Sequence, residues 1–209
     1  MVDGLAAASS TIVAEVRRRV AARTTGLRIL VAIDGGSGSG KSMLAAAVAA
    51  ELEAVIVPSD DFFAAGVTDA EWDAMSPAQR AGAAIDWRRL RAEALEPLLA
   101  GRAASWHPFD FDAGVRFDGT YPMSTEVVTR RPTPVIVLEG AYSARPELSD
   151  LIDLAILVDV PSEERHRRLQ SREEEPFRDA WHARWDVAED HYFGHVRPPS
   201  SFDLVVTND

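Results

Sequence analysis

The sequence predicts an α/β fold, a five-stranded parallel sheet with helices on both faces. Three observations carry this. Five short runs, 27–33, 54–57, 134–138, 154–160 and 202–206, are apolar almost throughout rather than alternating, as strands covered on both faces are. Stretches with helical spacing separate them. Polar motifs follow the runs directly, at the strand ends where open parallel sheets bind ligands.

Residues 10–22 place Ile12, Val16 and Val20 on one helical face, with Ser10 as the expected N-cap. The run 27–33 (LRILVAI) is the first strand, and an Ala-rich helix is expected over 41–53. The second strand, 54–57, ends in Pro58-Ser59-Asp60-Asp61-Phe62-Phe63. A short helix is expected near Asp69–Met75. Asp86 caps a further helix that aligns Trp87, Leu90, Ala94, Leu95 and Leu98, and Gly101 ends it. Residues 103–131 read as short extended pieces and turns. Strands at 134–138 and 154–160 follow, then a basic helix over 162–172, a charged aromatic helix over 176–193 and the last strand. No repeat or linker interrupts the chain, so residues 1–209 read as one domain, with an insert at about 60–131 and a lid at about 165–195.

Between the first strand and its helix stands Gly35-Gly36-Ser37-Gly38-Ser39-Gly40-Lys41-Ser42, a full G-x-x-x-x-G-K-[ST] motif in its required setting. Glycines let consecutive backbone N–H groups turn inward as an anion nest, and the helix N-terminus adds its positive dipole end. This is a P-loop, and it makes the expected architecture a P-loop NTPase fold that binds ATP with Mg²⁺. Of 22 basic residues, a single one, Lys41, is lysine. A compact ammonium fits among crowded phosphates where a planar guanidinium does not. Lys41 is therefore expected at the outer phosphates and the Ser42 hydroxyl on the metal. Two strand-end acids compete for the metal side, Glu139 and Asp159; Gly140 after Glu139 permits close backbone approach and favours Glu139. Asp60 and Asp61, on the same sheet edge, offer a general base and a further magnesium-side carboxylate.

Composition narrows the function classes. A net charge of −11 disfavours nucleic acid and anionic membranes as partners. The absence of cysteine removes disulfides, thiolate catalysis and Cys-type zinc sites. No apolar run has the length of a membrane span and no secretory leader pattern is present, so a cytoplasmic location is expected. A homo-oligomer remains compatible with this sequence.

In the 162–172 helix, Arg165, Arg168 and Arg172 recur on one face. It reads either as a solvated face paired with Glu163, Glu164 and Glu173–Glu175 or, with Arg165 and Arg172 favoured, as phosphate clamps like those that P-loop kinases resembling this chain use during lid closure. His166 is expected on the surface. Trp181, Trp185 and Ala188 share a face that reads as core packing. His191 and His195 have the spacing of a helical metal pair, but no third ligand accompanies them and a zinc site there is disfavoured.

The ordered segments VAIDGGSGSGKS, PSDDFF, DWRRLRAEALEPLLAGR, HPFDF and VIVLEGAYS resemble the uridine kinase-like branch of the P-loop kinases over about residues 27–175. Phosphoribulokinase and bacterial pantothenate kinase are more distant relatives. The resemblance implies Asp60 as general base and Phe63 where the family often has an acceptor-contacting Tyr. It implies Asp86 at the sugar hydroxyls, Phe109 and Asp110 in the base-binding segment, and Glu139 as the acid of the family's Glu-Gly pair. One departure matters: the family's pyrimidine-reading His has no counterpart in Asp112–Arg116, so uracil specificity does not carry over. The implied activity is transfer of the γ-phosphoryl group to a hydroxyl of a nucleoside or similar small alcohol. The alternatives are a kinase for a pantothenate-like alcohol or sugar, a regulatory NTPase without acceptor, and a protein that only binds ligand.

Overall fold

The computed structural model describes residues 2–23, 28–171 and 175–208, with side chains for 4–23, 28–171, 182 and 184–208. Its sheet has five parallel strands in the order β2-β5-β1-β6-β7. β1 (Ile29–Asp34) is central, β5 (Val135–Glu139) and β2 (Val55–Pro58) lie to one side, and β6 (Leu154–Asp159) and β7 (Leu204–Thr207) to the other. The chain leaves β1 toward β2 on one side and later crosses from β5 to β6 on the other, and ligands of such sheets bind at the carboxyl end where the direction reverses.

Strand periodicity divides the core into two layers. Ile29, Val31 and Ile33 pack with Ile12 and Val16 of α1 (Val2–Ala21) and Leu44 and Val48 of α2 (Lys41–Leu52). Leu30 faces the opposite layer with Leu90, Leu95, Leu98 and Trp106. Each such fully buried aliphatic side chain stabilises the fold by about 1.5–3 kcal/mol.

Several boundaries differ from expectation for local reasons. α1 begins near Val2, so Ser10 lies inside the helix rather than capping it. The preceding run Leu5-Ala6-Ala7-Ala8 is strongly helix-favouring and carries the helix past the serines. After α3 (Asp69–Ala74) comes a helix the periodicity did not reveal, α4 (Pro77–Ala83). Its signal is local: Ser76 and Gln79 form a capping box and Pro77 occupies the first turn. The Asp86-capped helix is α5 (Trp87–Leu90) and α6 (Glu96–Leu99) joined by a π-turn, Arg91–Leu95. Pro97, lacking an N–H, cannot complete a regular α ladder there. Gly101 ends the helix at a φ of 78°, a left-handed conformation suited to glycine.

The expected extended pieces include a small antiparallel hairpin, β3 (Ala104–Trp106) with β4 (Val128–Arg130). Two helices follow β6, α7 (Ser162–Gln170) and α8 (Glu175–His191), the latter continuing as a π-turn over Tyr192–Val196. Among the described residues, no helix is long and apolar enough to cross a membrane.

Candidate active site

Strand register assembles the site. Glu139, the last residue of β5, lies beside Ile33 of β1 and Pro58 of β2. Three segments, the P-loop, Ser59–Phe62 and Glu139–Gly140, thus leave the sheet at one edge. Gly140 allows their close approach: a Cβ there would collide with the Ser59 hydroxyl and lie 3.3 Å from the Asp60 carboxylate.

The P-loop turns through Gly38 and Gly40, whose φ angles of 80° and 84° are left-handed. Arg165 of α7 roofs the loop, and a Cβ on Gly36 would stand 2.6 Å from its guanidinium. Buried Arg165 donates from Nη1 to the Ser37 carbonyl at 2.8 Å. Arg168 lies farther along the same face, donating to Glu164 and to the Asn208 carbonyl, each at 2.7 Å. Arg172, the second expected clamp, lies outside the described residues.

Lys41 is buried at the start of α2, and Asp60 and Glu139 both act on it electrostatically. The Ser42 hydroxyl donates to Glu139 at 3.0 Å, whereas Asp159 is exposed at the end of β6 opposite Thr207. Asp60 is open to water along the cleft but crowded by protein. That crowding raises its carboxyl above the ordinary range, opposed by the Lys41 ammonium and reinforced by Asp61 and Glu189. Glu139 is likewise raised, first by burial and then by Asp60. Carboxylates that repel one another beside a hydroxyl make an oxygen-donor set suited to a hard divalent cation such as Mg²⁺.

The two adjacent aspartates have different surroundings. Asp61 accepts the Trp106 indole N–H at 2.7 Å, and its carbonyl accepts from the Phe109 N–H at 2.8 Å. Asp60 lines a small cleft with Ser37, Lys41, Tyr142 and Glu189. The cleft also touches Phe63, Phe111 and Trp185, which wall an adjoining cavity of about 360 Å³. Phe63 is its centre, with Phe109 and Trp185 edge-on at 5.0 and 5.3 Å. At the polar end, Asp69 accepts the Tyr121 hydroxyl at 2.8 Å and the Arg184 guanidinium at 2.5 Å.

Two expected acceptor residues stand apart from these cavity walls. Asp86 is an exposed N-cap, accepting from the Arg89 N–H at 3.1 Å, and its own N–H donates to Phe62. Asp110 accepts from the N–H groups of Asp112 and Ala113, both at 3.1 Å, so it organises its own turn.

Comparisons with known proteins identify the family and the fold. No family model matches the sequence. Uridine kinase of Borrelia duttonii is 29% identical over 143 residues, covering 68% of this chain and 66% of the relative. Uridine kinase of Mycoplasma pneumoniae is 30% identical over 162 residues, covering 72% of this chain and 70% of the relative. The chain belongs to the uridine kinase-like branch of the P-loop kinases. The solved structure of a possible uridine kinase from Bacillus stearothermophilus has the same fold, with a TM-score of 0.65 at 20% identity over 93% of this chain and 96% of that one.

Two site residues of this kinase escaped the sequence reading. Glu189 of α8, buried, accepts from the Ser37 N–H at 2.9 Å and hydroxyl at 2.6 Å, and from Arg165 at 3.0 Å. Nothing marks it in the sequence, since it is one acid among many in a charged helix. Asp34, fully buried at the end of β1, accepts from the N–H groups of Gly35, Tyr142 and Ala144 and from the Tyr192 hydroxyl, at 2.8 to 3.0 Å. Its signal was legible as a charged residue closing an apolar strand. Tyr142 is held at a φ of 64°, and Trp185, expected as core, is both core and cavity wall.

Proposed function

We propose that this chain is a cytoplasmic, ATP- and Mg²⁺-dependent kinase that phosphorylates a hydroxyl of a small alcohol bearing a flat ring, a nucleoside or a compound of similar shape. The observation that carries the reading is the position of Asp60, in the cleft that joins the Lys41 side to the aromatic cavity. A donor phosphate on the P-loop and an acceptor ring against Phe63 and Trp185 would meet at that carboxylate.

The roles follow. The backbone of Gly35–Ser42 cradles the phosphates, and Lys41 with Arg165 offsets the charge of the transferred group. Arg172 is proposed as a second clamp. Ser42 and Glu139 hold Mg²⁺, with Asp60 beside them; when bound, the ion neutralises phosphate charge. Asp60, as the ionised base, takes the proton of the acceptor hydroxyl as the oxygen attacks. Phe63 and Phe109 bind the acceptor ring; Asp86 and Asp110, expected as acceptor contacts, lie outside the wall of this cavity. An aromatic wall binds flat rings by stacking and burial without dictating which base is present. That fits a site lacking the family's pyrimidine-reading His.

The test is ADP release with Mg²⁺ across nucleosides, sugars, pantothenate and other alcohols. Acceptor-dependent release is expected, strongest for ring-bearing acceptors. Hydrolysis indifferent to every acceptor rejects the kinase reading in favour of a regulatory NTPase. Release only with an open-chain alcohol or a sugar rejects the ring-bearing acceptor.

A further inference from the structure

A second cluster of donor atoms lies on the helices behind the site. His166 of α7 and His182 and Asp186 of α8 converge so that one ligand atom from each lies within 4.8 Å of the others. His166 Nε2 is 2.9 Å from one Asp186 oxygen, and His182 Nδ1 is 3.6 Å from the other. His182 and Asp186 are four apart and therefore share a face of α8.

The ordinary explanation is an Asp–His ion pair between helices, and the geometry fits it poorly. His166 Nε2 and both ring nitrogens of His182 are buried atoms, and none of them makes a well-formed hydrogen bond. Buried polar atoms are nearly always paired, so His166 Nε2 and His182 Nδ1, both beside one carboxylate and neither well bonded, point to a shared partner. Neutral imidazole nitrogens and a carboxylate oxygen are ligands for zinc and its neighbours, whereas Mg²⁺ and Ca²⁺ prefer all-oxygen sets. Bonds of about 2.0–2.2 Å in a tetrahedron put donors roughly 3.3–3.6 Å apart, within reach of small side-chain rotations here. The His191–His195 pair has the helical spacing, but its rings stack at 4.9 Å and it gathers no third ligand among the described residues.

We propose that His166, His182 and Asp186 bind one divalent transition-metal ion of zinc's class, with water in the fourth position, stapling α7 to α8. The ion is distinct from the magnesium of the phosphate site and shares no ligand with it. Arg165 neighbours His166, and Glu189 lies one helical turn beyond Asp186, so the staple sits between two side chains that reach the P-loop.

The experiment uses tag-free, chelator-stripped protein titrated with Co²⁺ in excess Mg²⁺, which covers the oxygen-rich site. The expected result is one equivalent bound, with the visible d–d absorption of a tetrahedral nitrogen–oxygen site, displaced by Zn²⁺. His166→Gln and His182→Gln should each weaken binding by about tenfold or more, and His191→Gln should not. Absence of the absorption in the wild type, or equal affinity in His182→Gln, overturns the proposal. Metal-free melting curves check that the variants are folded. X-ray absorption of the zinc-loaded wild type is independent of them: two imidazole nitrogens support the site, and an all-oxygen shell overturns it.

Discussion

The Glu189 carboxylate accepts both the backbone N–H and the hydroxyl of Ser37, at 2.9 and 2.6 Å, joining the P-loop to a helix 152 positions away. It holds a negative charge at the mouth of a cradle shaped for phosphate, and it engages Arg165 as well. Nucleotide binding must displace or tolerate that charge. Glu189→Gln should therefore tighten ATP binding by about fivefold to thirtyfold, on the order of 1–2 kcal/mol. Calorimetric titration of ATP into both proteins checks this, and equal or weaker binding by the variant contradicts it.

Asp60→Asn should leave ATP affinity within about twofold and reduce phosphoryl transfer by about 10²–10⁴. Desolvation by the crowding protein raises the Asp60 carboxyl, and the base works ionised. The acid limb of kcat/KM should accordingly lie above the ordinary aspartate range of about 4. A variant with unchanged turnover rejects Asp60 as the base.

Glu139→Gln keeps the side chain's size and removes the charge facing Ser42. The Mg²⁺ concentration for half-maximal activity should rise by about tenfold, while metal-free ATP binding stays the same or improves. An unaltered Mg²⁺ requirement would move the metal-side role elsewhere, with Asp159 the first alternative.

Asp34 makes stability pH-dependent. Burial pushes its carboxyl up to about 6 despite four hydrogen bonds, against 3.8 for the ordinary group. Between these values the folded state binds more protons than the unfolded one. The stabilisation is complete below the unfolded value and is lost as pH rises through about 6. The unfolding free energy of the wild type relative to Asp34→Asn should thus fall by up to about 3 kcal/mol between pH about 4 and pH about 7.5. Urea melts of both proteins at the two pH values measure it; a constant difference refutes it.

Much of the architecture was legible because its signals are short-range. An apolar run, a G-x-x-x-x-G-K-S loop and an Asp before a helix each need only neighbouring residues to define their conformation. α4 was equally local, in Ser76-Pro77-Ala78-Gln79, and was missed because Ala and Gly blur its periodicity. The partner that ties down Asp61 was not legible. It is Trp106, 45 positions away, which donates its indole N–H to Asp61.

The sequence by itself determined the parallel α/β sheet, the phosphate cradle with its single lysine, and the kinase branch to which the chain belongs. Tertiary structure decided which acids face Lys41, that Glu189 enters the P-loop, that aromatic residues from several segments wall one cavity, and that His166, partly exposed as expected, also meets His182 and Asp186. The physical reason is range. Backbone conformation and strand burial follow from local pattern, whereas a side chain's electrostatic role follows from partners brought together by strand register and helix packing.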